Sequence, residues 1–384
     1  MNKSNQPPAG VLGLGMEAFL PPGVYVPDIR RLPHGTSLAE RVRAALLRSG
    51  ADVLEAWRSR PLANTLQSLR NRQDWTGPWY KRSVTGMKYL VRSACMPVRH
   101  TCFLAFVDAH PAMGVYRQRD PRLLERHMHR FINATWRRSD RLNYLQQHYR
   151  FALAHLPRDL FERVYVNGHA DLGSLTAKDG SLLKLCLRPP ILKGCEGELG
   201  LQLCDADDVP LYSIIFTVAD EKPSLMIGCL QGPRGADARD VVRALTRNLH
   251  GMRPKHLMLS LVYAFARHYG IDKLVAISND AHPLRRSGRP VYSDYDAFWK
   301  EQHGRRIGGG WFALPSSQAH KTEAEVPSNH RAAFRRREAL RRQAEHMLIQ
   351  ALAQPEPEIQ PVPARVPASL RTLSAIVAGS YHGL

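Results

Sequence analysis

The sequence predicts an α+β protein: a helical N-terminal half, then a mixed, largely antiparallel sheet with helices, then a strongly basic helix. Three observations predict it. Apolar residues recur at helical spacing through the first half, four short strand-like runs then follow between turn signals, and the helical period returns in the arginine-rich stretch NHRAAFRRREALRRQAEHMLIQALA. At 384 residues with 44% hydrophobic content, the chain is long enough to bury one large core or two medium ones.

Residues 1–35 are rich in proline and glycine without a sustained period and predict a flexible leader. A helical region is expected over 36–165. Its first helix follows a Ser/Thr cap, places Leu38, Val42, Ala45 and Leu46 on one face, and is stopped by Gly50. Further helices are expected over 60–72, 89–96, 120–136 and 140–154. At YVNGHADLG the character switches to a turn, and an α/β region is expected over 166–327. Its strands are SLLKLCLRP, EGELGLQLC, VPLYSIIFTV and SLMIGCLQ, with DADD as the turn between the second and third. Two helices follow, ADARDVVRALTRNLHG and KHLMLSLVYAFARHYG, each closed by glycine, then a buried strand DKLVAIS and a last strand at GGWFALP. In the basic helix over 328–352, Phe334, Leu340, Met347, Leu348 and Leu352 line one face that docks on the protein, and Arg335, Arg336 and Arg341 on the polar remainder are candidate partner contacts to a membrane surface or nucleic acid. A proline-rich tail, 353–384, predicts a flexible extension.

The formal charge is +20, and residues 1–150 alone carry 24 basic and 10 acidic side chains, a balance of +14. Such a field attracts nucleic acid, anionic lipid headgroups or phosphorylated metabolites alike. None of the six cysteines forms a C-x-x-C pair, and no carboxylate or thiolate completes a metal set around His127, His129, His148 and His155, so no metal site is expected. With no long apolar span and no cleavable leader pattern, the expected location is the cytoplasm, peripheral to the inner membrane through its basic surface.

Three junctions are candidates for chemistry. In SLMIGCLQGPRGADARDVVRAL a buried strand enters a glycine-rich turn and a helix start, so Gln231, Gly232, Arg234 and Gly235 are candidates to hold a phosphate on unpaired amides. In LHGMRPKHLM, Arg253 and Lys255 sit at a helix N-terminus and oppose its dipole unless an anion lies between them. In AISNDAHPLRRSGRPVYSDYDAFWKEQ, which follows a strand end, Asn279, Arg285, Tyr292, Asp294 and Asp296 are candidate substrate or partner contacts. His250, His282 and Tyr295 are the candidate proton carriers.

The series EGELGLQL, IGCLQG, LHGMRPKHLMLSLVYAFARHYGIDKLVAISN, YSDYDAFW and VPSNHRAAFRRR, in that order, resembles the bacterial VirK/YbjX family over roughly 62–352. The resemblance implies a role in virulence and in withstanding antimicrobial peptides or envelope damage in Gram-negative bacteria, and it carries no established reaction. The strand order is similar to that of the acyl-CoA-dependent N-acyltransferase fold, which implies acyl-CoA as cofactor at Gln231-Gly232-Pro233-Arg234-Gly235-Ala236. That loop departs from the pattern Q/R-x-x-G-x-G/A, with Arg234 where the first loop glycine belongs. The two functional expectations are an acyltransferase and a non-catalytic basic factor at anionic membrane surfaces or on nucleic acid.

Overall fold

The computed structural model describes residues 65–190, 194–219, 221–235, 237–284, 294–319 and 321–353. The expected leader, the helix over 36–50 and the proline-rich tail lie outside the described residues, as do Arg285 and Tyr292.

Three helices open the described chain: α1 (Trp79–Ala94), α2 (Pro97–Ala109) and α3 (Pro111–Arg119). Prolines in the first turns of α2 and α3 set the breaks, because proline lacks the N–H that a helix interior needs and is tolerated at its start. Sequence periodicity marked only 89–96 in this stretch. α2 is apolar nearly all round and buries His100, Phe103, Leu104, Phe106 and Val107, so it shows no amphipathic period. The helix expected over 120–136 is instead a short 3-10 segment, Pro121–Met128, whose entry is capped by Asp120 accepting from the Arg122 N–H. α4 (Arg138–His155) begins where Asp140 accepts from the Arg137 N–H at 3.1 Å. α5 (Arg158–Phe161) runs into a wide turn, Glu162–Asn167.

Among the described residues the sheet has eight strands: β1 (Ala170–Thr176), β2 (Leu182–Arg188), β3 (Leu199–Cys204), β4 (Pro210–Ala219), β5 (Ser224–Gln231), β6 (Lys273–Ile277), β7 (Arg305–Ile307) and β8 (Trp311–Ala313). Their order is β1-β2-β3-β4-β5-β6-β8-β7, so the α+β expectation is met. β1 begins inside the stretch read as a turn; its bulge between Asp171 and Gly173 breaks the alternation that marks a strand. β1 to β5 form an antiparallel meander, and β5 pairs with β6 in parallel across α6 (Ala238–Asn248) and α7 (Pro254–His268). α7 buries every residue from Leu257 to Ala266. α8 (Tyr295–Glu301) follows β6, and α9 (Arg331–Leu352) packs on α7 and β1. The buried side chains of α9 are Phe334, Leu340, Ala344, Leu348 and Leu352, a docked apolar stripe, while Arg335, Arg336 and Arg342 are exposed.

One feature of register positions the site. β5 pairs with β6 only from Ser224↔Lys273 to Ile227↔Ala276, although β5 runs on to Gln231 beside β4. Beyond Ile227 the two parallel strands part. Other chain crosses the gap: Ile132 N–H donates to the Cys195 carbonyl and Ala134 N–H to that of Ala281, both at 2.8 Å. Gly228 lies so close to this crossing that a Cβ there would stand 2.0 Å from the Glu196 carbonyl oxygen, which excludes any other residue.

Candidate functional site

Ligand sites in sheets with parallel strands favour the crevice beyond the strands' carboxyl ends, where neighbouring strands diverge. At this divergence the chain gathers Glu196, Cys229, His282 and Tyr295, all buried. Glu196 Oε1 lies 3.4 Å from His282 Nε2, and the His282 and Tyr295 rings stack with centroids 5.2 Å apart. The Tyr295 hydroxyl accepts from the Leu230 N–H at 3.3 Å and donates toward Cys229 Sγ at 3.6 Å. His282 Nδ1 accepts from the Leu284 N–H at 3.3 Å, which leaves the proton of a neutral ring on Nε2, facing Glu196. Among the described residues neither Glu196 Oε2 nor His282 Nε2 makes a hydrogen bond of good geometry, although the Cys229 thiol lies against the Glu196 carboxyl. Buried polar atoms are nearly always paired, so two without good partners where β5 and β6 diverge single this place out.

Burial pushes the Tyr295 phenol and the Cys229 thiol well above their usual ranges. Tyr295 is therefore a held proton, and Cys229 stays a thiol rather than a nucleophilic thiolate.

The strand-end residues act as a frame for Tyr295. Asn279 Oδ1 accepts from the Tyr295 N–H at 3.0 Å, and its Nδ2 donates to Asp294 at 2.7 Å. Asp294 caps α8 by accepting from the Ala297 N–H, while Asp296 accepts from the Asn279 N–H at 2.7 Å and pairs with Arg306. Trp299 Nε1–H closes the frame on the Ile277 carbonyl at 2.9 Å. Asn279, Asp294 and Asp296, candidates for substrate contact in the sequence, thus fix the helix that carries the tyrosine.

The glycine-rich turn lies next to this cluster. Gly232 packs against the Tyr212 ring, and Arg234 donates to Gln231 Oε1 at 2.6 Å on the surface. Gly235 takes a positive φ of 110° with open space around it. Asp237 and Asp240 stand at the start of α6, where their charge competes with a bound anion. Arg253 and Lys255 find partners inside the protein: Arg253 holds Glu301 with two bonds of 2.6 and 2.8 Å, and Lys255 lies over the Phe298 ring. The bonded Arg253 guanidinium holds the Glu301 carboxyl below its usual range, and burial with Arg253 alongside lowers Lys255. Tyr212, the neighbour of Gly232, feels the Arg253 charge as well, so the two cationic junctions flank one tyrosine.

Arg253, Glu301, Lys321, Arg337 and Arg341 line a cleft of about 440 Å³. Arg341 pairs there with Glu338, Arg335 pairs with Glu323 at 3.0 Å, and Arg336 is exposed. His250 occupies the turn after α6 with a left-handed φ of 54°, and no contact of the Tyr295 cluster involves it.

Sequence reasoning missed Glu196 and Cys229, and it missed a second buried network. Arg126 binds Glu198, Asp120, Tyr116 and Tyr149, and Tyr149 also donates to Glu198. Burial raises the Glu198 carboxyl to about 7 even with Arg126 beside it. The available signal was GCEGEL, two carboxylates in an otherwise apolar strand entry.

Residues 79–350 match a family model described as a protein of unknown function, DUF535. The chain is 28% identical over 267 residues to the uncharacterized protein YbjX of Escherichia coli (strain K12), spanning 67% of this chain and 80% of that one. It is 27% identical over 209 residues to an uncharacterized protein of Haemophilus influenzae, spanning 54% and 69%. It is 25% identical over 221 residues to membrane protein LapB of Mannheimia haemolytica, spanning 56% and 90%.

Proposed function

The chain belongs to the DUF535 family, that of VirK and YbjX, and from that premise we propose that it is an acyl-CoA-dependent acyltransferase serving envelope defence and virulence. The observation that carries the reading is the parting of β5 from β6 around Glu196, His282 and Tyr295, with two buried polar atoms there in no bond of good geometry. The name of the Mannheimia haemolytica relative, a membrane protein, supports a place at a membrane. Among the described residues no helix is long and apolar enough to cross a membrane.

The residues fit the cofactor in two respects. The turn at Gln231–Gly235 presents a positive-φ glycine in open space beside Arg234, as a phosphate group requires. Glu196 Oε2 and the His282 Nε2–H, neither in a bond of good geometry, lie beside the protonated Tyr295 where β5 and β6 part. Bound acyl-CoA would supply an activated acyl carbonyl. Glu196 Oε2 takes the proton of an attacking amine, with His282 Nε2 3.4 Å from the other carboxyl oxygen. Tyr295 Oη, fixed by the Leu230 N–H, delivers the proton the leaving group needs.

Calorimetric titration of the full chain with acetyl- and long-chain acyl-CoA tests the reading. Binding is expected to survive in Tyr295→Phe and to weaken in Arg234→Ala. Absence of heat with every acyl length removes the proposal.

A further inference from the structure

The surface of α1 carries an exposed apolar stripe. Of the large hydrophobic side chains exposed among the described residues, Trp79, Tyr80, Val84, Met87 and Val91 all belong to this one helix. They are 78%, 52%, 50%, 63% and 57% exposed, although the opposite side of the same helix is well packed. Tyr89 and Ser93 are buried there, with the Tyr89 hydroxyl bonded to Ser68 and His100, and Gly86 sits against the Trp75 ring. The helix is thus fixed by one face while it offers water another that is apolar.

At 3.6 residues per turn, Tyr80, Val84, Met87 and Val91 fall within about 60° of arc. Lys81, Lys88 and Arg92 share a strip of about 40° directly beside them. The sequence of α1, WYKRSVTGMKYLVRSA, contains no aspartate or glutamate. On the stripe's other flank an open groove of about 710 Å³ is lined by Leu69, Trp75, Trp79, Met87 and Leu90. A contiguous exposed apolar patch marks an interaction surface. Its charge selects the partner. A second copy of this chain would bring the same cations against Lys81, Lys88 and Arg92, and a nucleic acid would leave four apolar side chains without a use. An apolar stripe edged by lysine and arginine, with Trp and Tyr at one end, matches a bilayer surface, whose acyl boundary takes the stripe and whose anionic headgroups take the cations.

We infer that α1 is a docking face for anionic lipid bilayers, lying in the plane of the interface with Tyr80, Val84, Met87 and Val91 inserted. This inference stands apart from the acyl-transfer reading, since α1 contributes nothing to the cluster around Tyr295.

Co-sedimentation of the full chain with vesicles containing phosphatidylglycerol, against pure phosphatidylcholine vesicles, tests it. Wild-type protein binds the anionic vesicles and releases as salt rises. Lys81→Ala/Lys88→Ala lowers the affinity about 25-fold at low salt, at about five-fold per cation. Met87→Glu/Val91→Glu lowers it at least about ten-fold at every salt, since insertion of apolar area is lost. The replaced side chains are exposed, so both variants keep the wild-type melting temperature and the wild-type heat with acyl-CoA. Equal binding to neutral vesicles, or unchanged binding by both variants, overturns the inference. So does a wild-type dimer that Met87→Glu/Val91→Glu dissociates, or nucleic-acid binding that both variants abolish without any vesicle binding.

Discussion

Acidification from about pH 7.5 to about pH 5 is expected to cost this protein roughly 4 kcal/mol of stability, and the magnitude follows from its buried histidines. His148 is held neutral from both sides: Nδ1 accepts from the Val218 N–H at 3.1 Å, and Nε2–H donates to the Tyr165 hydroxyl at 2.8 Å. Burial, with Arg126 near, lowers its pKa to about 3; burial with Arg72 near lowers His100 to about 4; burial holds His127 well below its usual value. Unfolded, all three titrate near 6.5. Between those values the unfolded chain binds protons that the folded chain refuses, so stability is lost as pH falls through about 6.5. Each histidine then contributes a loss of about 2 kcal/mol by pH 5. Glu198 acts with the opposite sign. Its folded pKa of about 7 lies above the usual carboxylate value, so the folded state takes up a proton first and gains about 2 kcal/mol over the same interval. The balance is a loss of roughly 4 kcal/mol out of a typical total of 5–15. Urea unfolding across this pH range, followed by fluorescence and circular dichroism, measures it. A stability that is flat, or that rises on acidification, would refute the argument, and a His148→Gln variant that keeps the full slope would remove that residue from it.

Other outcomes follow from the same structure. Arg126→Met strips the buried Glu198 carboxyl of its counter-charge and should destabilise the fold by about 3–5 kcal/mol, read as a lower melting temperature. Arg126→Met/Glu198→Gln should recover part of that loss, because the uncompensated charge is gone. Asn279→Ala removes the clamp on the Tyr295 N–H and on Asp294; any turnover should fall about ten-fold or more with little change in stability, as misplacement of a reacting group dictates. Gly228→Ala drives a methyl group into the Glu196 carbonyl, and expression as soluble protein should fall sharply, whereas Gly235→Ala, with open space but a positive φ, should cost about 1 kcal/mol by thermal melting.

The meander was legible because β2 to β5 carry continuous or alternating apolar runs bounded by turn residues, and α6 and α7 each end at a glycine-containing turn. β1 was not, since its bulge and glycine break the period, and β7 is three residues long. α2 was hidden by being apolar on all sides. At the site, Tyr295 and His282 were visible as polar groups after a strand end. Glu196 stood out in GCEGEL only as a charge, because nothing local announces that β5 and β6 separate and that the chain around 196 crosses between them. That depends on pairing across some 50 residues of sequence, from Ile227 to Ala276. Arg253 and Lys255 looked like an anion site for the same reason: their counter-charge, Glu301, lies 48 residues on from Arg253. The exposed stripe of α1 follows helical spacing and was open to sequence reading, but only the structure shows that its apolar residues stay outside the core.

The central claim is that Tyr295 and Glu196 perform proton transfer for acyl transfer in the gap between β5 and β6. Release of free coenzyme A thiol from acyl-CoA, followed with a thiol reagent in the presence of a primary amine, tests it most directly. Wild-type protein should release thiol in proportion to amine acylated. Tyr295→Phe and Glu196→Gln should each slow release by about 100-fold or more while Tyr295→Phe still binds acyl-CoA. Release at the wild-type rate by both variants, or none by the wild type with any acyl length or amine, contradicts the account.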